Sequence, residues 1–381
     1  MIKRIVLINQ VTGYLFIDIA NAFCNEYDEV VLFAGVIKPM DMPLNKKVKL
    51  VKIMPYNKKN SLTRTISWVL GFVKSTILLK SKYRKYEVFA STNPPTLNFL
   101  PLSCKNKISL LVYDIYPDGL VAAGFVKNTN FINRYWEHLN RKSFQKLHTL
   151  TTLTPGMANL LSKYIDETKI KVIPAWSNQA FSKIKIVPQV NEFIQKYHLQ
   201  NKFLVIYSGN LGKGNNLDSL VYLAESIREQ DEILIIIIGE GFKKERLSQL
   251  IIKLNLSNIL LLPYQPSDLF IHVLYAMNIG IVSLDPVASQ IAIPSKIYNI
   301  LGAGKPVICI GPKNSDLAEM IHQNNIGFTF SSDQVNLIKE FILKSLNDKD
   351  YYNMLCLNAK GTSTQFTYRN ADQMVANHIS Q

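Results

Sequence analysis

Six consecutive aliphatic residues, Ile233 to Ile238, stand between Asp231-Glu232 and Gly239-Glu240-Gly241. A run that short and that uniformly apolar reads as a strand covered on both faces, the way strands of parallel sheets flanked by helices are written. The rest of the chain repeats the pattern. In the first half, strands at 5–8, 29–34, 49–54, 88–91, 108–112, 149–153 and 171–173 alternate with helical stretches at 16–27, 61–83, 96–102 and 131–146. In the second, strands at 203–207, 233–238, 259–262 and 280–284 alternate with helices at 217–228, 247–254 and 269–276. The alternation predicts an α/β protein with two Rossmann-like, doubly wound domains, joined near residues 175–200 where Pro174, Pro188 and polar residues interrupt it. Doubly wound sheets bind ligands outside the carboxyl ends of their strands. SGNLGKG (208–214), GEG (239–241) and residues 285–299 are therefore expected to line one crevice.

The stretch DPVASQIAIPSKIYNILGAGKPVI (285–308) combines several such signals. Pro294 and Ser295 read as a helix start, with Ser295 as a cap, and Gly302 and Gly304 as its end. Val307 to Ile310 follows as a buried strand. A helix start carrying Ser295 and Lys296 suits a phosphate or diphosphate, and an ordinary capped helix is the alternative.

Charge divides the chain. Residues 1–187 hold 27 Lys and Arg against 11 Asp and Glu; residues 188–381 hold 16 against 17, so the net +15 lies entirely in the first half. Such an excess points to nucleic acid, anionic lipid or a polyanionic substrate. Nucleic acid is set aside, because no helix-turn-helix, zinc-finger or RNP-like pattern is present. Residues 61–83, SLTRTISWVLGFVKSTILLKSKY, interrupt their apolar positions with charge too often for a comfortable transmembrane span. They read either as an interfacial helix on an anionic membrane or as a core-facing helix with snorkelling lysines. The basic pairs Lys46-Lys47 and Lys58-Lys59 favour the membrane.

Cys24, Cys104, Cys309 and Cys356 are far apart and without metal-ligand spacing, which suggests reduced thiols in a cytoplasmic protein. The N-terminal run from Ile5 breaks at Asn9-Gln10, short of a signal-peptide core, and is expected as a first strand. Asp348-Lys349-Asp350 reads as a solvated helical face rather than a metal motif, and His138, His148 and His272 as satisfied or surface histidines.

YSGNLGKGNNLDSL, IIIIGEGFKKERL, LLPYQPSDL and PSKIYNILGAGKPVI, in that order and at these intervals, resemble the C-terminal half of a GT4-family retaining glycosyltransferase of the GT-B fold. LLVYDIYPDGLVAAG and VIPAWSN resemble its fucosaminyltransferase-like branch, which builds bacterial O-antigen and capsular polysaccharide. The resemblance implies two Rossmann-like domains facing a central cleft. Residues 1–187 would bind the acceptor and face the membrane; residues 188–381 would bind a nucleotide-sugar donor, with the final helix packing back on the first domain. It implies transfer with retention to a polyprenyl-diphosphate-linked glycan, without metal or other cofactor, at the inner face of the cytoplasmic membrane.

Residue by residue, the resemblance makes Lys213 and Lys296 partners of the leaving diphosphate and Asp114 a contact of the transferred sugar near the reacting centre. Gly209, Asn210 and Gly212, together with Gly239, Glu240, Gly241 and Tyr264, would surround the donor, the glycines letting backbone amides approach the diphosphate. Asn210 stands where the family usually has arginine. The family's paired glutamates, eight positions apart, fall on Ile291 and Asn299. Asn299 can still hydrogen-bond a ribose hydroxyl, whereas Ile291 cannot, so Asp285 or Glu240 is the candidate substitute acid. Gly13 and Tyr14 stand at the usual acceptor loop. Asp118 is either an acceptor contact or a turn cap. A GT-B nucleotide-sugar epimerase and a catalytically silent GT-B subunit that binds a partner or lipid are the alternatives.

Overall fold

A computed structural model of the chain describes residues 2–38, 43–57, 59–122, 131–178, 186–284 and 293–380. It divides into two compact units, Met1–Gln179 with Tyr368–Gln381, and Ala180–Thr367. The strands of the first are β1 (Arg4–Ile8), β2 (Val11–Thr12), β3 (Glu29–Ala34), β4 (Val36–Ile37), β5 (Val48–Lys52), β6 (Glu87–Ser91), β7 (Ile108–Val112), β8 (Thr149–Thr152) and β9 (Ile170–Val172). Those of the second are β10 (Phe203–Ser208), β11 (Ile233–Ile238), β12 (Ile259–Leu262), β13 (Ile279–Ser283), β14 (Val307–Ile310) and β15 (Gly327–Phe330).

The main sheet of the first unit runs β5-β3-β1-β6-β7-β8-β9, and that of the second β12-β11-β10-β13-β14-β15. Every pairing in both is parallel. Short β2 and β4 pair separately. In each main sheet the chain adds strands to one side of its first strand and then crosses to the other, so the switch point lies between β1 and β6 and between β10 and β13. The six isoleucine and leucine residues of β11 are all buried, as double coverage requires.

Helix α1 (Tyr14–Glu26) starts at Gly13 and buries Phe16, Ile17, Ile19, Ala20 and Phe23 in the first unit. Helix α2 (Ser61–Lys80) opens with a reciprocal cap: the Thr63 amide donates to the Asn60 side chain at 2.8 Å, and the Asn60 amide donates to Thr63 Oγ1 at 3.2 Å. Among the described residues α2 is the one helix long and apolar enough by length and composition to cross a membrane.

The C-terminal helix, Arg369–Ile379, packs against α1 and is pinned to the first unit by a buried polar chain. Thr149 Oγ1 donates to Ser109 Oγ at 2.7 Å, and Ser109 Oγ lies 2.6 Å from His378 Nδ1. His378 Nε2 is 2.9 Å from the Glu87 carboxylate, which also accepts the Tyr27 hydroxyl at 2.6 Å. The arrangement assigns His378 as the neutral tautomer with its proton on Nε2. His148 Nε2 lies 3.1 Å from the His378 carbonyl.

Burial holds His378 below its usual range, and His148 is lowered by burial as well. The hydrogen bond from His378 holds Glu87 down at about 2. All three groups bind fewer protons folded than unfolded, so each adds stability that is lost as pH falls. The histidine part goes first, below the ordinary 6.5, and the Glu87 part between 4.5 and about 2. Thermal unfolding followed from pH 7 to pH 5 is expected to show a falling midpoint, with a shallower slope in His378→Asn. An unchanged slope in that variant would remove His378 from the account.

Candidate functional site

The crevice of the second unit lies beyond the carboxyl ends of β10 and β13, and its floor is two loops stitched together. The Gly209 amide donates to the Ile238 carbonyl at 2.9 Å, the Leu211 amide to the Glu240 carbonyl at 2.9 Å, and the Lys243 amide to the Leu211 carbonyl at 3.0 Å. Glycine is required for this approach. A Cβ on Gly239 would stand 1.9 Å from the Gly209 carbonyl oxygen, and one on Gly241 would stand 2.6 Å from that of Leu211, both at positive φ. The stitching corrects one expectation: the Gly209 amide is consumed by the neighbouring loop and is not free to cradle an anion. Asn210 is held by its carbonyl, which accepts from Tyr207 Oη at 2.8 Å and Asn215 Nδ2 at 3.0 Å. Gly212 lies beside it; a Cβ there would be 3.1 Å from Asn210 Nδ2.

Lys296 reaches this floor from the first residue of the helix Lys296–Gly302. Its Nζ lies 4.0 Å from the centroid of the Tyr207 ring and 2.3 Å from where a Cβ of Gly209 would be. No carboxylate pairs with it among the described residues. Burial lowers its pKa to about 8, so near neutral pH the site holds a desolvated cation whose visible neighbour is an aromatic face. Ser295, expected to cap this helix, has αR backbone angles and makes no side-chain cap hydrogen bond. The first amides are satisfied instead by tight backbone bonds, Ile297 to Pro294 and Tyr298 to Ser295. Asn299 Oδ1 is buried without a partner among the described residues, as is Ser283 Oγ at the carboxyl end of β13.

The remaining residues expected on this side are more open. Lys213 is exposed, its Nζ 5.8 Å from the Phe242 ring centroid. Glu240 pairs at 2.6 Å with Lys244 on the surface, which leaves it a poor stand-in for a missing acid. Tyr264, beyond β12, is exposed; burial raises the Tyr207 hydroxyl above its usual range, and Tyr264 adds to that. Asp285 and Ile291 lie outside the described residues.

In the first unit the β1 to α1 turn brings Gly13 and Tyr14 to the switch point. A Cβ on Gly13 would meet open space. Tyr14 Oη donates to the Trp176 carbonyl at 2.8 Å, and burial raises its pKa to about 12. Trp176 is fully buried and donates Nε1 to Asp18 at 2.8 Å, so the AWSN segment is clasped to α1. Asp114 follows β7, where the Tyr113 and Asp114 amides both donate to Thr92 Oγ1, at 3.0 and 3.2 Å. Its carboxyl reaches solvent, yet the surrounding protein raises its pKa above the usual range. Asp118 is already engaged: Lys163 pairs with one oxygen and the Tyr164 hydroxyl donates to the other at 2.6 Å.

Residues 189–362 match the family described as glycosyl transferases group 1. The probable glycosyltransferase WbjE of Pseudomonas aeruginosa is 23% identical over 334 residues, 83% of this chain and 81% of that protein. The putative colanic acid biosynthesis glycosyl transferase WcaI of Escherichia coli K12 is 24% identical over 182 residues, 47% and 44% of the two. The crystal structure of WaaG, a glycosyltransferase involved in lipopolysaccharide biosynthesis, superposes with a TM-score of 0.71 at 17% identity, covering 99% of this chain and 100% of that one. Anabaena Alr3699/HepE in complex with UDP gives 0.73 at 14% identity, with 99% of each chain covered. Residues 189–362 thus carry the match to group 1 glycosyltransferases, and the chain has the GT-B fold of these structural neighbours.

Sequence reasoning missed Tyr207, Ser283 and the Asp18–Trp176 pair. A tyrosine inside a buried strand signals a hydroxyl in need of a partner, and that signal was present in FLVIYS. The two glycine substitutions with the tightest contacts are expected to separate. Gly239→Ala drives a Cβ into backbone and is expected to lower unfolding free energy by about 1–3 kcal/mol. Gly209→Ala meets mainly the tip of the Lys296 side chain and costs less. Denaturant unfolding of both variants measures the difference, and equal losses would contradict it.

Proposed function

We propose that the enzyme transfers a sugar from a nucleotide-sugar donor, held by the second unit, to a polyprenyl-diphosphate-linked glycan in bacterial surface polysaccharide synthesis, with retention at the anomeric carbon and without metal. The observation that carries the reading is Lys296: a partly buried, desolvated ammonium with no acid partner among the described residues, placed against a backbone position where any side chain would obstruct it. A desolvated cation is costly unless an anion meets it, and a donor diphosphate supplies that anion. Lys213, exposed on the same loop, adds a second positive charge, and Gly239 and Gly241 keep the floor low. Asn299 Oδ1, unpartnered among the described residues, accepts a ribose hydroxyl.

The similar proteins support the polymer context. Relatives are named for colanic acid and lipopolysaccharide biosynthesis, and a structural neighbour was solved with UDP. O-antigen or capsule is the class of product this suggests. On the first unit, Asp114 contacts the transferred sugar and Gly13 and Tyr14 the acceptor. Asp118, already paired, orders the 114–118 turn rather than meeting substrate. The basic excess of residues 1–187 directs the enzyme to an anionic membrane surface on the cytoplasmic side, where a lipid-linked acceptor is presented. As the donor bond breaks, charge accumulates on the leaving diphosphate, and Lys296 and Lys213 stabilise it there.

Thermal-shift titration with UDP-, GDP- and dTDP-sugars is the test. One nucleotide class is expected to stabilise the protein, with Lys296→Ala weakening it by roughly 10²-fold and Lys213→Ala by less, as befits a buried and an exposed contact. Because burial holds Lys296 near 8, wild-type affinity should fade as pH rises past that value, and the fading should vanish in Lys296→Ala. Chelator is expected to change nothing. No shift with any donor, or shifts indifferent to both lysines, would refute the reading.

A further inference from the structure

Helix α2 is built inside out. Its buried residues are Ser67, Gly71, Ser75 and Leu79, one every fourth position. The small ones allow close approach: Gln10 Nε2 donates to the Ser67 carbonyl at 2.8 Å and stands 3.1 Å from where a Cβ of Gly71 would be. The large aliphatic residues point the other way. Leu62, Ile66, Val69, Leu70, Val73 and Ile77 are all exposed, Leu62 by 70% and Ile77 by 61%. At helical spacing they fall within one arc of about 100°, the width of an ordinary core-facing stripe. Single exposed aliphatics need no explanation; six in one stripe do.

Part of the stripe borders a groove. Leu70, Val73, Ile77 and Leu78 form one wall and Ile53, Met54 and Pro55 the other, enclosing about 620 Å³, with Lys74 as its charged lining residue. That volume is in the range of small-ligand sites. No acidic residue occurs from Ser61 to Tyr86, a span holding six Lys and Arg. Lys74, Lys80, Lys82, Arg84 and Lys85 are exposed. The charge excludes a second copy of the same face as occupant, since like charges would be brought together, and favours an apolar ligand with an anionic head.

We propose that this groove takes one acyl chain of an anionic phospholipid, with Lys74 on its phosphate and the remainder of the α2 stripe in the leaflet beside it. The proposal deepens the reading that this unit meets a membrane and rests on it. Bulk lipid drawn into the groove would fix the depth and rotation of α2 in the leaflet, which a smooth amphipathic helix leaves free.

The experiment is a calorimetric titration of the full chain with decanoyl lysophosphatidylglycerol, kept below the concentration at which it forms micelles. Saturable binding at one site is expected. Val73→Trp, which fills the groove while keeping it apolar, should weaken it at least about tenfold, and Ile77→Phe serves if that variant fails to fold. Lys74→Glu should also weaken it. Leu62→Ala, on the stripe but away from the groove, should leave it unchanged. Non-saturating uptake, or Val73→Trp binding as tightly as wild type, would overturn the proposal. Tighter binding of geranyl phosphate would give the groove to an isoprenoid chain and overturn it equally. Sedimentation with phosphatidylglycerol vesicles separates the two levels: failure to sediment removes the membrane reading itself, whereas sedimentation without monomer binding removes only the groove. Retained nucleotide-sugar stabilisation in each variant certifies the fold.

Discussion

The chemistry of the second unit depends on how closely two loops can approach at the carboxyl ends of adjacent parallel strands. Strands β10 and β11 run in register from Phe203 opposite Ile233 to Ser208 opposite Ile238, so the segments leaving them emerge side by side. They remain hydrogen-bonded for several residues more only because Gly239 and Gly241 carry no side chain. That interlock has a cost and a use. It consumes amides that could have faced an anion, and it leaves a low rigid floor over which a side chain from another element can lie flat. Lys296 takes that position against Tyr207. On the proposed reading, anion recognition rests on this one desolvated ammonium rather than on backbone dipoles, which makes it sensitive to pH in a way that a backbone cradle is not.

The first unit uses the same strand order differently. Its switch point is lined by groups already committed to holding loops in place: Thr92 accepts two amides ahead of Asp114, and Trp176 joins Tyr14 and Asp18. Asp114 is left as a carboxyl with raised pKa and no fixed partner among the described residues, while Asp118 four residues later is fully taken up. Two carboxylates in one short turn therefore have opposite fates, decided by Lys163 and Tyr164 on a different element.

Much of this was legible in the sequence, for a physical reason. A strand buried on both faces cannot hide its apolar run, and β3, β7, β11, β12 and β14 fall within the bounds that their apolar residues suggest. Elements whose identity depends on distant partners were not. The cap expected at Ser295 fails because the backbone entering that helix is already helical, and nothing local distinguishes a capping serine from an idle one. The fate of Glu240 was set by Lys244 one turn on, and that of the Gly209 amide by the neighbouring strand's carbonyl. The inside-out character of α2 was illegible for a deeper reason. Periodicity reports that a stripe exists, not which way it faces, and only the burial of Ser67, Gly71 and Ser75 decides it.

Asn299 carries the argument one step further. On the proposed reading, asparagine at 299 and isoleucine at 291 stand where the resemblance places two glutamates, so the donor-binding segment carries two fewer negative charges. Burial lowers the Lys296 pKa, and among the described residues no carboxylate pairs with the ammonium to offset that. On the proposed reading, an incoming diphosphate has no anion to displace from Lys296 among the described residues. The hydrogen-bonding duty of an acid toward a hydroxyl survives in the Asn299 carbonyl, which is buried and unpartnered among the described residues. On that reading, the site keeps a hydrogen-bonding group for the sugar at Asn299 and a cation for the leaving group at Lys296, so the loss of the acids does not by itself silence it.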